Sequence, residues 1–388
     1  MTERQTERQC ILLVDDDAGI TEGLAYALER PGRTTVICSD VESAEIALAR
    51  FPVTHLVTDV QFSGDFGFEG LHFLRRVHQQ APECRIVLIT GYATDALRKA
   101  AMEHGAAAVV SKPFGTDELE AIIGVPDASV GDPYEMIRIP ALEEILRGDA
   151  LSPAFQPIVR LTPHGPSTFG FEALTRVRGR WLTGGPVMLF DYAERRSMLS
   201  ELNIVTLTAA IAATPALPDD ASIFVNVDPL TFNGGKLVPA LTAAAARASL
   251  PLERIVLEVT ERSAFANDGV AGQVFDELRG RGIRFALDDH GSAYSHLNVI
   301  NRIRPSFIKI SNTFGTAFEE DDTKCRIIRH TLALARDFGC ETILEGIENG
   351  VTARAAAAAG VPLAQGFHFG RPRAAAHWAA ARATLCAA

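Results

Sequence analysis

The sequence predicts an α/β protein in two parts: a doubly wound parallel sheet, then a (β/α)8-type barrel. Three observations predict it. Over residues 10–124, short apolar runs alternate with helical patterns, as βαβ units of a parallel sheet require. From residue 153 onward, roughly eight short β-like runs recur with helical stretches between most of them, the repeat of a barrel. A length of 388 residues accommodates two or three domains.

The first run, residues 10–14, ends in three acids, Asp15, Asp16 and Asp17, and a helix is predicted over 20–28. Residues 55–58 end at Asp59, residues 85–90 end at Thr90, and residues 107–111 run into Lys112-Pro113. Open parallel sheets gather ligands at the carboxyl ends of their strands, so Asp15, Asp16, Asp59, Thr90 and Lys112 are expected together. A junction follows over 125–150, with turn signals at Pro126 and Gly131-Asp-Pro and a helical stretch over 141–147. The expected domains are therefore 10–124, a partly helical linker over 125–150, and 151–388. In the last of these, strands are predicted over 155–159, 169–174, 222–227, 254–259, 283–287, 307–310, 341–344 and 361–364. Helices are predicted over 237–248, 270–280, 324–338 and 351–359, where alanine runs suit outer helices.

Composition removes several function classes. The net charge of −11 disfavours a general nucleic-acid binder, so no direct DNA binding is expected. An anionic substrate is still admissible if cations lie between it and the acids. No apolar run is expected to span a bilayer, and the polar first ten residues do not suit a secretory leader, so a cytoplasmic protein without a membrane partner is expected. Six cysteines without a C-x-x-C pair argue against zinc and against a disulfide framework.

In the first part, clustered carboxylates suit one hard divalent cation such as Mg2+, with a lysine and a hydroxyl to meet a phosphoryl group. The ordered set resembles the receiver domain of two-component systems, whose sheet is flavodoxin-like. The resemblance implies Asp15 and Asp16 as metal acids, Asp59 as phosphoacceptor, Thr90 as switch hydroxyl and Lys112 as phosphate partner. It also implies a sensor histidine kinase as phosphodonor. Two features depart from that family: Val109 stands where an aromatic is usual, and the loop 61–69 is long and lacks the customary proline.

In the second part, Glu172, Asn226, Glu258, Asp288, Asp289 and Glu345 fall at predicted strand ends, the face on which barrel active sites are built. So many converging carboxylates repel one another unless cations neutralise them, and a divalent pair about 3.5–4 Å apart is a common device for phosphodiester hydrolysis. Lys309, at another strand end, is suited to orienting water or stabilising developing charge.

These residues carry a resemblance to the EAL-family phosphodiesterases. Glu172-Ala-Leu-Thr-Arg176 is the name-giving motif, preceded by Gln156-Pro-Ile. Asn226 in Phe-Val-Asn-Val-Asp-Pro, Glu258-Val-Thr-Glu261, Asp288-Asp289, Lys309 in Ile-Lys-Ile, Glu345-Gly-Ile-Glu348 and Gln365-Gly-Phe follow in order. The resemblance implies that Glu172, Asn226, Glu258 and Asp288 bind one Mg2+ or Mn2+. Asp288 would bridge to a second ion completed by Asp289 and Glu345. Lys309 would assist the water, Glu261 brace the loop after Asp289, and Glu348 support the metal ligands. Gln156, Arg176 and Gln365 would contact cyclic di-GMP, opened to linear 5′-pGpG by a phosphorylation-regulated enzyme, with a homodimer as the family's expected assembly.

His290 and Ala293 replace the family's usual Phe and Gly, and Ser311 replaces an Asp. An Ala at a position needing positive φ restricts the backbone. His290 is either an extra ligand, since imidazole suits Mn or Fe, or an ordinary loop histidine. Arg371-Pro-Arg373 is either a phosphate clamp or a solvated turn. Three other functions compete: a catalytically silent effector that binds cyclic di-GMP, a receiver-gated interaction module, and a Schiff-base aldolase using Lys309. The acids around Lys309 disfavour the last, because they would keep the amine protonated.

Overall fold

The computed structural model describes residues 8–60, 69–126, 133–179, 185–260, 270–290 and 297–380. Two compact units emerge: one comprises residues 1–148 and 179–196, the other 149–178 and 197–388.

The first unit alternates β1 (Gln9–Val14), α1 (Ala18–Ala27), β2 (Arg33–Cys38), α2 (Val41–Arg50), β3 (His55–Asp59), α3 (Glu69–Gln80), β4 (Arg85–Thr90), α4 (Asp95–Glu103), β5 (Ala106–Ser111) and α5 (Thr116–Ile123). Then come β6 (Glu135–Arg138) and α6 (Leu142–Arg147). The sheet order is β5-β4-β3-β1-β2-β6, parallel throughout. Ile11, Leu13, Ile37, Val57, Val87 and Ile89 pack on one face beneath α1 and α5. Two strands are additional to the sequence expectation. β2 begins Arg-Thr-Thr, a polar start that hides it. Arg33 is nevertheless fully buried, because it donates to Gln9 Oε1, Glu120 Oε1 and the carbonyls of Leu28 and Gly124. β6 adds to the free edge of β2, pairing Thr34 with Glu135 through Ile37 with Arg138.

The second unit holds β7 (Leu151–Thr162) and β8 (Gly165–Val177); the helix that follows, α7 (Pro186–Arg195), belongs to the first unit. The series continues with α8 (Leu199–Ala212), β9 (Ser222–Asn226), α9 (Leu237–Arg247), β10 (Ile255–Thr260), α10 (Val270–Gly280), β11 (Arg284–His290), α11 (Leu297–Ile303) and β12 (Phe307–Ile310). It ends with α12 (Asn312–Gly315), α13 (Asp322–Asp337), β13 (Glu341–Leu344), α14 (Gly350–Ala358), β14 (Leu363–Gln365) and α15 (Ala375–Ala380). Eight strands close the barrel in the order β10-β11-β12-β13-β14-β7-β8-β9. β7 runs antiparallel to both neighbours, because a tight hairpin, rather than a helical crossover, joins it to β8.

The barrel is filled at its base by Ile158, Phe224, Val256, Ala286, Phe307, Ile343 and Leu363. Outward-facing Phe171, Ala173, Val225, Leu257, Val259 and Ile308 pack against the helices. The stretch 199–216 is long and apolar enough to cross a membrane by length and composition, contrary to the sequence expectation. Its Leu207, Ala210 and Ile211 lie in the barrel's core cluster, so its apolarity has a packing cause.

Candidate active site

Side chains alternate across a strand, and this places the polar residues. Asn226, Glu258, Asp288, Lys309, Glu345 and Gln365 each stand two positions after an apolar residue of the barrel base: Phe224, Val256, Ala286, Phe307, Ile343 and Leu363. Gln156 stands two before Ile158, since β7 runs the other way. The period of two therefore builds a polar layer directly above the apolar one, at the carboxyl ends of the parallel strands.

Lys309 is the centre of that layer. Its side chain is 1% exposed, and Nζ lies 2.8 Å from Glu345 Oε1, 3.0 Å from Glu258 Oε1, 3.3 Å from Asp288 Oδ1 and 3.4 Å from Glu172 Oε2. Burial alone would depress the lysine, but the four carboxylates outweigh it and hold the ammonium well above its ordinary range. Burial and the neighbouring Glu172 push Glu258 well up. Burial also pushes Glu345 up to about 7, against the pull of Lys309. Glu172 goes the other way. Burial opposes its charge, but Lys309 and hydrogen bonds from Gln365 and Asn226 keep it below the usual range. Gln365 Nε2 donates to Glu172 Oε2 at 2.6 Å and to Gln156 Oε1 at 3.2 Å, and Asn226 Nδ2 donates to Glu172 Oε1 at 3.1 Å.

The layer opens into a cleft of about 420 Å3 lined by Gln156, Glu172, Arg176, Asp288, Lys309, Glu345, Glu348 and Gln365, with Asn312, Thr316 and Phe367 at its walls. Two glycines allow its shape. A Cβ on Gly315 would stand 1.6 Å from the carbonyl oxygen of Glu345, and Gly346 has φ 77° with Asn312 and Thr316 against it. The sequence expectation did not single out Phe367, although it is the aromatic of Gln365-Gly-Phe. It is 47% exposed, and the Arg371 guanidinium lies 4.0 Å from its ring centre, which gives Arg371 a stacking partner. Asp289 and His290 end β11, beyond a register shift that begins at Leu287; their side chains, Glu261, Ala293 and the loop between lie outside the described residues. Ser311 is buried and precedes α12 without a side-chain cap hydrogen bond.

Among the described residues, no three acidic, His or Cys side chains form a ready-made metal cage; the carboxylates converge on an ammonium instead. The donor set still fits a hard divalent cation. It consists of oxygens, the ligands such ions prefer; Glu258 Oε1 and Asp288 Oδ1 face Lys309 at 3.0 and 3.3 Å, and among the described residues Glu258 Oε2 has no hydrogen-bond partner. Added positive charge would relieve the repulsion that pushes Glu258 up.

A second cluster lies at the strand ends of the parallel sheet. Lys112 Nζ reaches Asp59 Oδ2 at 2.7 Å and Asp15 Oδ2 at 2.8 Å. Asp16 is exposed, and Thr90, buried, accepts from the Tyr92 amide at 3.1 Å. Burial raises Asp15, with Lys112 opposing. Val109 is only partly covered, and its carbonyl accepts from Arg98. Residues 61–68 of the long loop lie outside the described residues.

A flavodoxin-like sheet with this Asp-Lys cluster, followed by a barrel with an acidic mouth centred on lysine, defines a response regulator with an enzyme-like output domain. The family models agree: the response regulator receiver domain matches residues 11–124 and the EAL domain residues 140–372. The chain belongs to the EAL family and carries an N-terminal receiver.

Among its relatives, the cyclic di-GMP phosphodiesterase RocR of Pseudomonas aeruginosa is 24% identical over 93% of this chain and 95% of its own length. The chain spans less of other relatives, 23% of the Synechocystis protein sll1895 and 32% of Pseudomonas aeruginosa MucR. The barrel is similar to the PaMucR phosphodiesterase solved in complex with c-di-GMP (27% identity, TM-score 0.53, 59% of this chain and 99% of that one). It is also similar to Klebsiella pneumoniae BlrP1, solved as a manganese/cyclic di-GMP complex (26% identity, TM-score 0.53, 59% of this chain and 57% of that one).

Proposed function

We propose that this chain hydrolyses cyclic di-GMP to linear 5′-pGpG, with Mg2+ or Mn2+ at the barrel mouth and with phosphorylation of Asp59 controlling the rate. The observation that carries the reading is the convergence of Glu172, Glu258, Asp288 and Glu345 on the buried ammonium of Lys309. Such a concentration of charge is costly to fold unless it serves chemistry.

Glu172, Asn226, Glu258 and Asp288 would hold one ion, and Asp288, Asp289 and Glu345 a second. When bound, divalent cations supply Lewis acidity to the phosphodiester and lower the pKa of the attacking water. Lys309, held charged, donates toward oxygen atoms at the mouth and stabilises the negative charge of the transition state. Glu345, 2.8 Å from Lys309 Nζ, would join Asp288 and Asp289 at the second ion and keep the ammonium beside the reacting phosphate. Gln156, Gln365 and Arg176 line the cleft where a guanine dinucleotide would be read. Arg176 is well suited to phosphate, and Phe367 offers a face for a base. In the receiver, Lys112 bridges Asp59 and Asp15, the arrangement needed to neutralise a phosphoryl group on Asp59.

Chromatography of cyclic di-GMP incubated with the purified chain and Mn2+ tests the reading. Linear pGpG should appear, and Glu172→Ala should abolish it. Tight binding without any product would instead favour a silent effector, to which the change to Ser311 would contribute.

A further inference from the structure

The helix α7 follows the strand that carries Glu172, and lies within the span matched by the EAL family model, yet it belongs to the compact unit of the receiver. Its seating there is specific. Leu189, Tyr192 and Ala193 are buried, and the Tyr192 hydroxyl donates to Asp40 Oδ2 at 2.8 Å. Arg195 pairs with Glu45 of α2. Arg196, just past the helix, pairs with Glu143 of α6 at 2.7 Å. The helix α6, which precedes β7, is joined in turn to β6 by the two-pronged Arg138–Glu144 pair. Along the chain, the hairpin β7–β8, which presents Gln156, Glu172 and Arg176, is flanked by α6 and α7, both of which belong to the receiver unit.

Asp40 is also near the phosphoacceptor cluster in bonds. Asp59 is bridged by Lys112 to Asp15. The Asp15 amide donates to the Cys38 carbonyl, at the end of β2. Two residues later Asp40 caps α2 through the Ser43 amide at 2.7 Å.

We propose that α7 is a clasp, held by Tyr192 on Asp40 and Arg195 on Glu45, through which the state of Asp59 is imposed on the Glu172 hairpin. This regulatory role rests on the phosphodiesterase reading, but the clasp is measurable without it. A new charge at Asp59 competes for Lys112, shifts Asp15 and the end of β2, and so alters the acceptor that holds Tyr192. A ligand-driven shift of this kind needs contacts that differ between the two states, and the Tyr192–Asp40 bond supplies one.

Hydrogen exchange read by mass spectrometry on the full chain, with and without beryllofluoride and Mg2+ as a phosphoryl mimic, tests it. In the resting protein, Tyr192→Phe should speed exchange over 186–195 roughly tenfold, the loss expected for a hydrogen bond to a carboxylate, with β1, β3 and β4 unchanged. In the unaltered chain beryllofluoride should change exchange over 186–195 and over 165–177, and in Tyr192→Phe the change over 165–177 should be lost. A full response over 165–177 in the variant, or no response of 186–195 to either perturbation, overturns the proposal. Because no step requires turnover, a chain that hydrolyses nothing still gives a decisive result.

Discussion

A lysine buried among four carboxylates is subject to two opposed effects. Desolvation disfavours its charge, while the carboxylates favour it, and at contacts of 2.8–3.4 Å the second prevails. Removing it exposes the other side of the balance. In Lys309→Met the acids face one another, and Glu258, already raised by burial and Glu172, rises further. A carboxylate whose folded pKa exceeds its unfolded value gives stability that is present below the unfolded value and lost as pH rises through the folded one. The variant should therefore lose about 3–5 kcal/mol of stability near neutrality and above, and recover much of it near about pH 4–5. Thermal unfolding in chelator at both extremes checks this; a deficit independent of pH contradicts it. Turnover should fall by about 100-fold or more, as expected for loss of a charged group at the reacting phosphate.

At the scale of elements, the site is a consequence of register. The acids were legible in the sequence because strand ends can be read from apolar runs, and alternation aims the second residue past each apolar base residue into the mouth. Phe307 and Lys309 illustrate it: one fills the barrel base, the other the polar layer. What alternation cannot show is a burial that depends on distant partners. The polar opening of β2 conceals a strand, since the groups that satisfy Arg33 come from β1, α1 and α5. The antiparallel course of β7 was also hidden, because a strand's apolar pattern reads the same in both directions. The start of the connection from β12 to β13 depends on Gly315, whose missing side chain lets α12 approach Glu345. Gly315→Ala should displace the Glu345 backbone, cost about 1–3 kcal/mol by overpacking, and lower turnover. Unfolding and rate measurements check it, and unchanged values for both would show that α12 yields without moving the site.

For the whole molecule, charge and domain order set the expectations. A chain of net charge −11 would meet an anionic dinucleotide only with added cations, since at the barrel mouth Glu172, Glu258, Asp288 and Glu345 outnumber Lys309 and Arg176. In the receiver, Lys112 joins Asp59 to Asp15, and the proposed phosphorylation would add charge at Asp59. Asp59→Asn should leave a measurable resting rate and remove any change in that rate on adding a small phosphodonor. A phosphodonor effect that persists in the variant would place control elsewhere.

The most direct measurement is the rate of cyclic di-GMP hydrolysis after exhaustive chelation, followed by stepwise return of Mn2+ or Mg2+. The account predicts no pGpG in chelator, recovery with either ion, and no recovery in Glu258→Gln, since Glu258 is one of the carboxylates that would hold the ion at the mouth. Hydrolysis that continues in chelator, or an ion response that Glu258→Gln leaves intact, would contradict it.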